Sequence, residues 1–253
     1  MRPVISNAFY RRENRRLKTI ADRLSSFRDH TVSRQTFAKL AKGIPDRHSQ
    51  EAFEQVFVHW TERDPDPGTV GARREGALSR AADSLAEAND SFENMLIPME
   101  DWQALDSGLQ QVYCRARNCM LCALAYETDE AFHEWRKQVK YLYYLLQMLM
   151  PIHPKRFGTI VRRLNRLEHK LGDDHDLAVL AGLLRQSAAR RGGKRALKPV
   201  LARLERHRKK LRRETESLGR ELLREKPRKF VGKVGKRWTA WRRSGENDAL
   251  GRV

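Results

Sequence analysis

The sequence predicts an all-α fold built from two helical bundles in tandem. Apolar residues recur three and four positions apart along the chain, and no segment alternates apolar and polar residues over the length of a strand. A chain of 253 residues suits one large domain or two small ones. The two halves resemble each other at an offset of 147 residues, which favours two bundles. The matched pairs include Leu17 with Leu164, Ile20 with Leu167, and Arg16 with Arg163.

Four apolar stripes predict helices in the first half. The first two run from Leu17 to Phe27 and from Phe53 to Trp60. The prolines and the glycine of residues 64–68 then predict a loop. Further stripes predict long helices over about residues 71–95 and from Leu105 through Cys122.

The second half opens with clear helix boundaries. Thr128 and Asp129 offer an N-cap, and the helix that follows is predicted to run to about Met150, before two prolines. The next helix is predicted over about residues 155–171, because Gly172 is typical of a helix end.

Polar and breaker residues set the remaining boundaries. Asp173 or Asp174 is predicted to cap the next helix. A long basic helix is predicted over about residues 195–224, and a short one follows Pro227 and ends near Trp241. The predicted domains are the first bundle at 1–125, the second bundle at 126–243 and a disordered tail at 244–253.

Charge is the strongest compositional signal. The chain has 51 Lys and Arg against 32 Asp and Glu, a formal net charge of +19. Residues 46–131 carry a net −10, whereas residues 1–45, 132–199 and 200–253 carry +8, +10 and +11. We therefore expect separate basic and acidic surfaces, with a polyanion or an anionic surface as the partner of the basic one.

One helix face concentrates cationic groups in the segment FHEWRKQVKYLYY. His133, Arg136, Lys137 and Lys140 are spaced i, i+3, i+4 and i+7, so they share an arc of roughly 100° on an α-helix. The leucines that follow lie mostly on other sides, so an apolar stripe can pack while the cationic face borders a cavity. Two interpretations are open, namely a solvated basic face and an anion-binding surface.

The same pattern recurs in two later helices, which favours the anion-binding interpretation. Each of these helices carries a cationic face beside an apolar stripe. The cationic faces comprise Arg162, Arg163, Arg166 and Lys170 in one helix, and Arg203, Arg206, Lys210 and Arg213 in the other.

The segment LGDDHDLAVL contains a further feature suited to phosphate. If Gly172 ends one helix, His175 lies at the start of the next, where free backbone N–H groups and the helix dipole favour an anion. The alternative for His175 is a structural cap or a core histidine. For Asp173 and Asp174, capping alone is the better interpretation.

These segments together resemble the CHAD domain, the conserved-histidine α-helical domain. The resemblance rests on FHEWRKQVKYLYY, KLGDDHDLAVL and EKPRKFVGKVGKRWTAW, and it extends to YRRENRRLKTIADRLSSFRD and GLQQVYCRARNCMLCALA. It implies two four-helix bundles, related by internal duplication, that enclose a basic central channel. It also implies that this channel binds inorganic polyphosphate.

The resemblance assigns the binding role to the cationic faces and to two histidines. His175 matches the family's second histidine, while Arg228, Lys229 and Lys233 match its basic C-terminal segment loosely. No catalytic residue, cofactor or metal ligand is predicted. The predicted polyphosphate-binding residues are His133, Arg136, Lys137, Lys140, Arg162, Arg163, Arg166, Lys170, His175, Arg206, Lys210, Arg15, Arg16 and Arg28.

The first bundle is predicted to lack its N-terminal helix. The offset of 147 places the counterpart of the FHEWRK helix before residue 1. A start further upstream, a shortened chain and a natively three-helical bundle are all open explanations. An apolar groove left open in this bundle would favour a homodimer that exchanges a helix.

Two other functions would use the same residues. His133, His169, His175 and Asp176 could hold a metal in a phosphohydrolase, but the surrounding Arg and Lys would repel a cation. Nonspecific nucleic-acid binding fits the net charge, yet no named motif for it appears. No apolar stretch reaches the roughly 20 residues of a membrane span. We therefore expect a non-catalytic polyphosphate-binding protein in the cytoplasm, including at polyphosphate granules, without membrane or specific nucleic-acid partners.

Overall fold

The chain is helical throughout the part that the structure describes. This computed structural model describes residues 6–41, 47, 50, 51, 54, 67–93, 102–191 and 194–250. No β-strand occurs among those residues, in agreement with the predicted all-α class. Its long helices are α1 (Asn7–Ala41), α2 (Pro67–Glu93), α3 (Gln103–Tyr126), α4 (Asp129–Met148), α5 (Pro154–Arg191), α6 (Lys194–Leu222) and α7 (Pro227–Leu250).

Two compact units divide the chain. The first unit comprises residues 1–4, 98–175 and 209–253, and the second comprises residues 5–97 and 176–208. Helices α5 and α6 therefore contribute one end to each unit. The predicted boundary after residue 125 falls between α3 and α4, which the structure groups in the first unit.

The core of the first unit is formed by α3, α4, the first part of α5 and the start of α7. Trp135, Leu146 and Leu167 are fully buried there. Tyr113 stacks on Phe230 with the ring centroids 4.3 Å apart. Each large apolar side chain buried in this way stabilises the fold by about 1.5–3 kcal/mol. The apolar stripes of the sequence thus meet in one core.

The boundaries of α4 agree with the prediction. The Thr128 hydroxyl accepts a hydrogen bond from the Ala131 N–H at 3.2 Å, which caps the helix. The helix ends at Met148, shortly before Pro151. Glu127 precedes the cap and has a left-handed backbone with φ 51°, so a connection of two residues suffices between α3 and α4.

In the second unit α1 packs against α2. Phe9 meets Phe92 edge to face with the centroids 5.5 Å apart, and the Arg16 guanidinium lies 3.4 Å from the Glu87 carboxylate. Helix α1 begins at Asn7 and α5 at Pro154, which are 147 residues apart. This is the register that the predicted duplication requires, although the duplication of whole bundles stays a prediction.

One predicted helix break is wrong. Helix α5 continues past Gly172, so neither Asp173 nor Asp174 caps a new helix. Apolar residues on both sides of the glycine, Leu171 and Leu177, are buried at 1% and 6% exposure. Their packing outweighs the cost of about 1 kcal/mol that a glycine adds within a helix.

The predicted end of the last helix is wrong, whereas the disordered tail at 244–253 stays a prediction. Helix α7 passes the predicted end near Trp241 and reaches Leu250. The apolar stripe Phe53–Trp60, most of the predicted loop after it, and the glycines Gly192 and Gly193 lie outside the described residues.

Close packing at Gly219 yields a test of the core. A Cβ at this position would lie 2.5 Å from the Trp135 ring, whereas Gly232 has nothing within 4 Å. We expect Gly219→Ala to lower the free energy of unfolding by about 1–3 kcal/mol, because overpacking outweighs the better helix propensity of alanine. Urea denaturation measures the change. The matched control Gly232→Ala should be neutral or raise stability by up to about 1 kcal/mol, and equal effects of the two substitutions would contradict the packing argument.

Candidate functional site

The cationic face of α4 lies against α5 in the first unit. The Arg136 guanidinium forms an ion pair with Glu168 at 3.1 Å, and the Arg136 side chain is only 20% exposed. It also lies over Gly172, where an added Cβ would be 3.3 Å from the Arg136 Nε. The physical role of Gly172 is therefore to make room for this guanidinium within a continuous helix.

The two histidines predicted to bind polyphosphate, His133 on α4 and His175 on α5, lie next to each other. The rings of His133 and His175 have centroids 4.6 Å apart and planes inclined at 39°. The His133 Nδ1 is buried and has no hydrogen-bond partner among the described residues. His175 lies well inside α5, where backbone N–H groups bond within the helix, so the predicted anion site at a helix start is wrong. The His133 imidazole therefore offers a buried nitrogen to a ligand, with the His175 ring packed beside it.

Glutamates of α6 pair with the cationic face of α5. Glu221 forms an ion pair with Arg163, and Glu214 forms one with Lys170. The hydrogen bond from Lys170 holds the pKa of Glu214 below its ordinary value, and the hydrogen bond from Arg163 does the same for the pKa of Glu221. Both side chains are therefore carboxylates at neutral pH. The sequence interpretation of α6 as a basic face missed these two counter-ions.

Lys137 lies at the edge of the α4 face and is neutralised locally. Its ammonium group donates to the Glu134 carboxylate at 2.8 Å. This hydrogen bond raises the pKa of Lys137 and lowers the pKa of Glu134. Burial raises the pKa of the nearby Cys119 thiol, with Glu134 as the next cause. Lys137 is thus turned toward α3 and is less available than its neighbours on α4.

Several cations of the three helices form no ion pair among the described residues. Arg162, Arg166 and Lys210 are exposed, and Lys140 is half-buried. The Lys140 ammonium lies 5.9 Å from the centre of the Tyr144 ring. The Glu214 carboxylate attracts Arg166 and Lys210 as well as Lys170, but it forms an ion pair only with Lys170, so these four side chains keep donors for an anion. We define the α4–α6 cationic surface as His133, Arg136, Lys140, Arg162, Arg163, Arg166, Lys170, His175 and Lys210.

The other predicted binding residues belong to the second unit. Arg16 on α1 pairs with Glu13 at 3.3 Å and with Glu87, which gives it a structural contact. Arg15 on α1 and Arg206 on α6 are exposed. Arg28 also lies on α1, in the part of that helix whose side chains are not described. The first unit by itself therefore unites the α4–α6 cationic surface without these four residues.

Arg212 on α6 is a partly buried cation, with its side chain 19% exposed, that the sequence did not single out. It donates to Asp174 at 3.2 Å and to Asp129 at 2.6 Å. It also donates to the Glu127 carbonyl at 2.7 Å and lies 4.2 Å from the centre of the Phe132 ring. Asp174 is 2% exposed, so this ion pair ties α5 and α6 to the start of α4. The only sequence signal was spacing, because Arg212 follows Lys210 by two positions and so lies on the opposite side of α6.

Comparison with protein-family models matches residues 1–185 to the CHAD domain. The chain belongs to the CHAD family. The match covers well over half of the 253 residues and includes both histidines of the cationic surface. The basic C-terminal segment that also resembles a CHAD domain, residues 225–241, lies beyond the matched part. No curated protein and no solved structure gives a significant match to the chain.

Two findings bear on alternative functions of this CHAD protein. No helix in the described part of the chain is long and apolar enough to span a bilayer. Among the described residues, no three His, Cys, Asp or Glu side chains are grouped so that they could hold a metal ion. His169, a member of the hypothetical metal site, instead has its Nδ1 2.8 Å from the carbonyl oxygen of Asn165, and its side chain is 68% exposed.

Proposed function

We propose that this CHAD protein binds inorganic polyphosphate, without catalysis, on the α4–α6 cationic surface. The observation that carries the proposal is that His133 meets His175 beside Arg136, while Arg166, Lys170 and Lys210 of two neighbouring helices all act electrostatically on one carboxylate, Glu214. The same histidines and basic positions are the ones that the CHAD resemblance assigns to polyphosphate. Charge, position and family therefore point to one ligand.

The chemistry of the ligand fits this surface. Polyphosphate carries about one negative charge per unit and has no bases, so it needs forked and charged donors rather than base-reading side chains. Arg162 and Arg166 offer guanidinium groups, and Lys140 and Lys210 offer ammonium groups, without competing ion pairs among the described residues. Association also releases counter-ions from the polyanion, which favours binding at low salt.

Phosphate can bind to Arg163 or Lys170 only by displacing a glutamate carboxylate of α6. A phosphate unit beside Lys170 or Arg163 has to compete with the carboxylates of Glu214 and Glu221. A single phosphate gains little from such an exchange, whereas a long chain makes it at several positions at once. We therefore propose a preference for long chains over orthophosphate.

The absence of a chemical step is part of the proposal. Activation of water for phosphoanhydride hydrolysis by a bound metal needs convergent carboxylate or imidazole ligands. Around the His133–His175 pair the neighbouring side chains include Arg136, whose charge disfavours a cation. Incubation with polyphosphate and Mg²⁺, Mn²⁺ or Zn²⁺ should release no phosphate above the rate measured without protein.

The direct test is titration of the full chain with long-chain polyphosphate at several salt concentrations. We expect tight binding that weakens strongly between about 50 and 200 mM salt. Duplex DNA and RNA at equal charge concentration serve as competitors. Displacement of polyphosphate by either nucleic acid at comparable concentrations would contradict a specific site and would favour nonspecific polyanion binding.

Affinity should also depend on pH. Phosphate is attracted more strongly by an imidazolium than by a neutral imidazole, so affinity should rise by roughly three- to ten-fold from about pH 8 to pH 6. The pKa of Glu214 is held low by Lys170, so this carboxylate stays ionised over that range and adds no slope. His133→Gln/His175→Gln should abolish most of the pH dependence, whereas His169→Gln should preserve it. A steep slope in the double variant would remove the histidines from the site.

The proposed function extends to the shape of the binding site, the oligomeric state and the location in the cell. We propose a basic channel, a homodimer formed through the first bundle, and a cytoplasmic location at polyphosphate granules. Light scattering of the full chain with and without polyphosphate tests the homodimer, and co-localisation with a polyphosphate stain tests the granule.

A further inference from the structure

A second basic region lies at one end of the α4–α6 cationic surface. It is a cavity of about 220 Å³ between the start of α5, the end of α6 and the first turns of α7. Phe157, Ile160 and Val234 form apolar parts of its wall. Five cationic side chains also line it, namely Arg156, Arg163, Arg224, Lys233 and Arg237.

The positive charge in this cavity exceeds the negative charge. Glu221 and Glu225 are the acidic residues in the wall, so five cations face two carboxylates. Glu221 forms an ion pair with Arg163, and Glu225 forms one with Lys233 at 2.6 Å. Arg156 and Arg224 have no ion pair among the described residues, and Arg237 donates to the backbone carbonyl of Lys233 at 2.8 Å. These three guanidinium groups therefore form no ion pair among the described residues, although Glu225 attracts both Arg224 and Arg237.

Arg237 is the cation in this cavity whose charged form is destabilised by its surroundings. Partial burial lowers the pKa of this guanidinium, and repulsion by Arg156 is the next cause. Like charges close together in a partly desolvated cavity are stabilised by a bound anion. An anion of two or three charges would balance the excess.

The size of the cavity limits the ligand. Sites for drug-sized molecules usually occupy about 300–1,000 Å³, so a cavity of about 220 Å³ suits a compact anion and is too small to enclose a whole nucleotide. A terminal phosphate group has a second ionisable oxygen with a pKa near 6, so it carries up to about two negative charges at neutral pH. An interior unit of a polyphosphate chain has only about one.

We infer that this cavity is a binding site for a terminal phosphate group, either in free pyrophosphate or at the end of a polyphosphate chain. The inference rests on the proposed function for the chain-end case. Arg163 belongs both to the cavity and to the α4–α6 cationic surface, and Arg166 and Lys170 continue that surface along α5. A chain that lies on this face of α5 therefore reaches the cavity with its end, and the protein would distinguish linear from cyclic phosphates.

The experiment compares phosphates with and without ends at the same number of phosphorus atoms, and pyrophosphate is the shortest form that has two ends. Linear tripolyphosphate, cyclic trimetaphosphate and pyrophosphate are titrated into the full chain by calorimetry. We expect wild type to bind tripolyphosphate at least about ten-fold more tightly than trimetaphosphate. This ratio exceeds the one that the difference in total charge alone would produce on an exposed basic surface. In Arg156→Gln/Arg237→Gln this ratio should fall below about three-fold, because the terminal group loses two guanidinium partners. Arg156→Gln/Arg224→Gln is a second variant that changes only exposed side chains.

The outcomes separate this site from the proposed function. Equal Kd values for pyrophosphate and tripolyphosphate support a site for free pyrophosphate, whereas tighter tripolyphosphate binding supports a chain-end site. The control Lys140→Ala should weaken binding of long chains and leave the linear-to-cyclic ratio unchanged. Equal affinity of wild type for linear and cyclic forms, or an unchanged ratio in both cavity variants, would overturn the inference even if long chains still bind. Failure of long chains to bind, with the ratio intact, would overturn the proposed function alone.

Discussion

Lys140→Ala/Arg166→Ala should lower the affinity for long-chain polyphosphate by at least about ten-fold at low salt. Both side chains lie on the α4–α6 cationic surface and form no ion pair among the described residues, so their charge is available to the ligand. Each lost phosphate contact removes about 0.7–0.9 from the slope of log affinity against log salt, by analogy with nucleic acids. We therefore expect the slope to fall by roughly 1.4–1.8 in the double variant. Titrations at four or more salt concentrations measure both quantities.

The choice of residues keeps this test separate from stability. Arg136 pairs with the mostly buried Glu168, so its removal alone would leave a carboxylate without its partner. It is better tested as Arg136→Gln/Glu168→Gln, which removes both charges together. Arg220→Ala/Arg243→Ala is the charge-matched control, because these exposed residues lie outside the cationic surface. A loss of affinity in the control as large as in Lys140→Ala/Arg166→Ala would show that only net charge matters.

Arg212→Ala should lower the free energy of unfolding by about 3 kcal/mol or more. Removing Arg212 deprives Asp174, which is only 2% exposed, of a charged partner, and the loss of one member of such a pair is strongly destabilising. The substitution also removes the hydrogen bond to the Glu127 carbonyl and the contact with Phe132. The pair with Asp129, which is 48% exposed, contributes little of this loss. Urea denaturation followed by circular dichroism measures the effect.

A neighbouring arginine provides the control for this second prediction. Arg213 is exposed on the same helix, so Arg213→Ala makes the same change in net charge and should alter stability by no more than about 0.5 kcal/mol. At a temperature where Arg212→Ala is folded, it should bind polyphosphate with an affinity close to that of wild type. Equal stability of the two variants would contradict the structural role of Arg212. A selective loss of binding without loss of stability would instead place Arg212 in the site.

Local periodicity and capping could be predicted well from the sequence. The Thr128 cap, the extent of α4 and the long α6 were all expected, because each depends on residues within one or two turns of the chain. Gly172 was misjudged for the same reason. Its effect depends on Arg136 of another helix and on the packing of its own neighbours, and neither is encoded in the local pattern.

For the candidate site, too, the sequence predicted local features but not contacts between helices. The sequence by itself determined which side chains share a helix face, since the spacing of His133, Arg136 and Lys140 follows from the α-helical repeat. It also determined the basic character of the protein and its resemblance to the CHAD family. Only the tertiary structure decided that His133 meets His175, that Glu214 neutralises Lys170, and that Arg212 pairs with the buried Asp174. Ion pairing between helices depends on how the helices pack and on their rotation about their axes. The order of charges along the sequence therefore does not show which cation will meet a carboxylate and which will face a ligand.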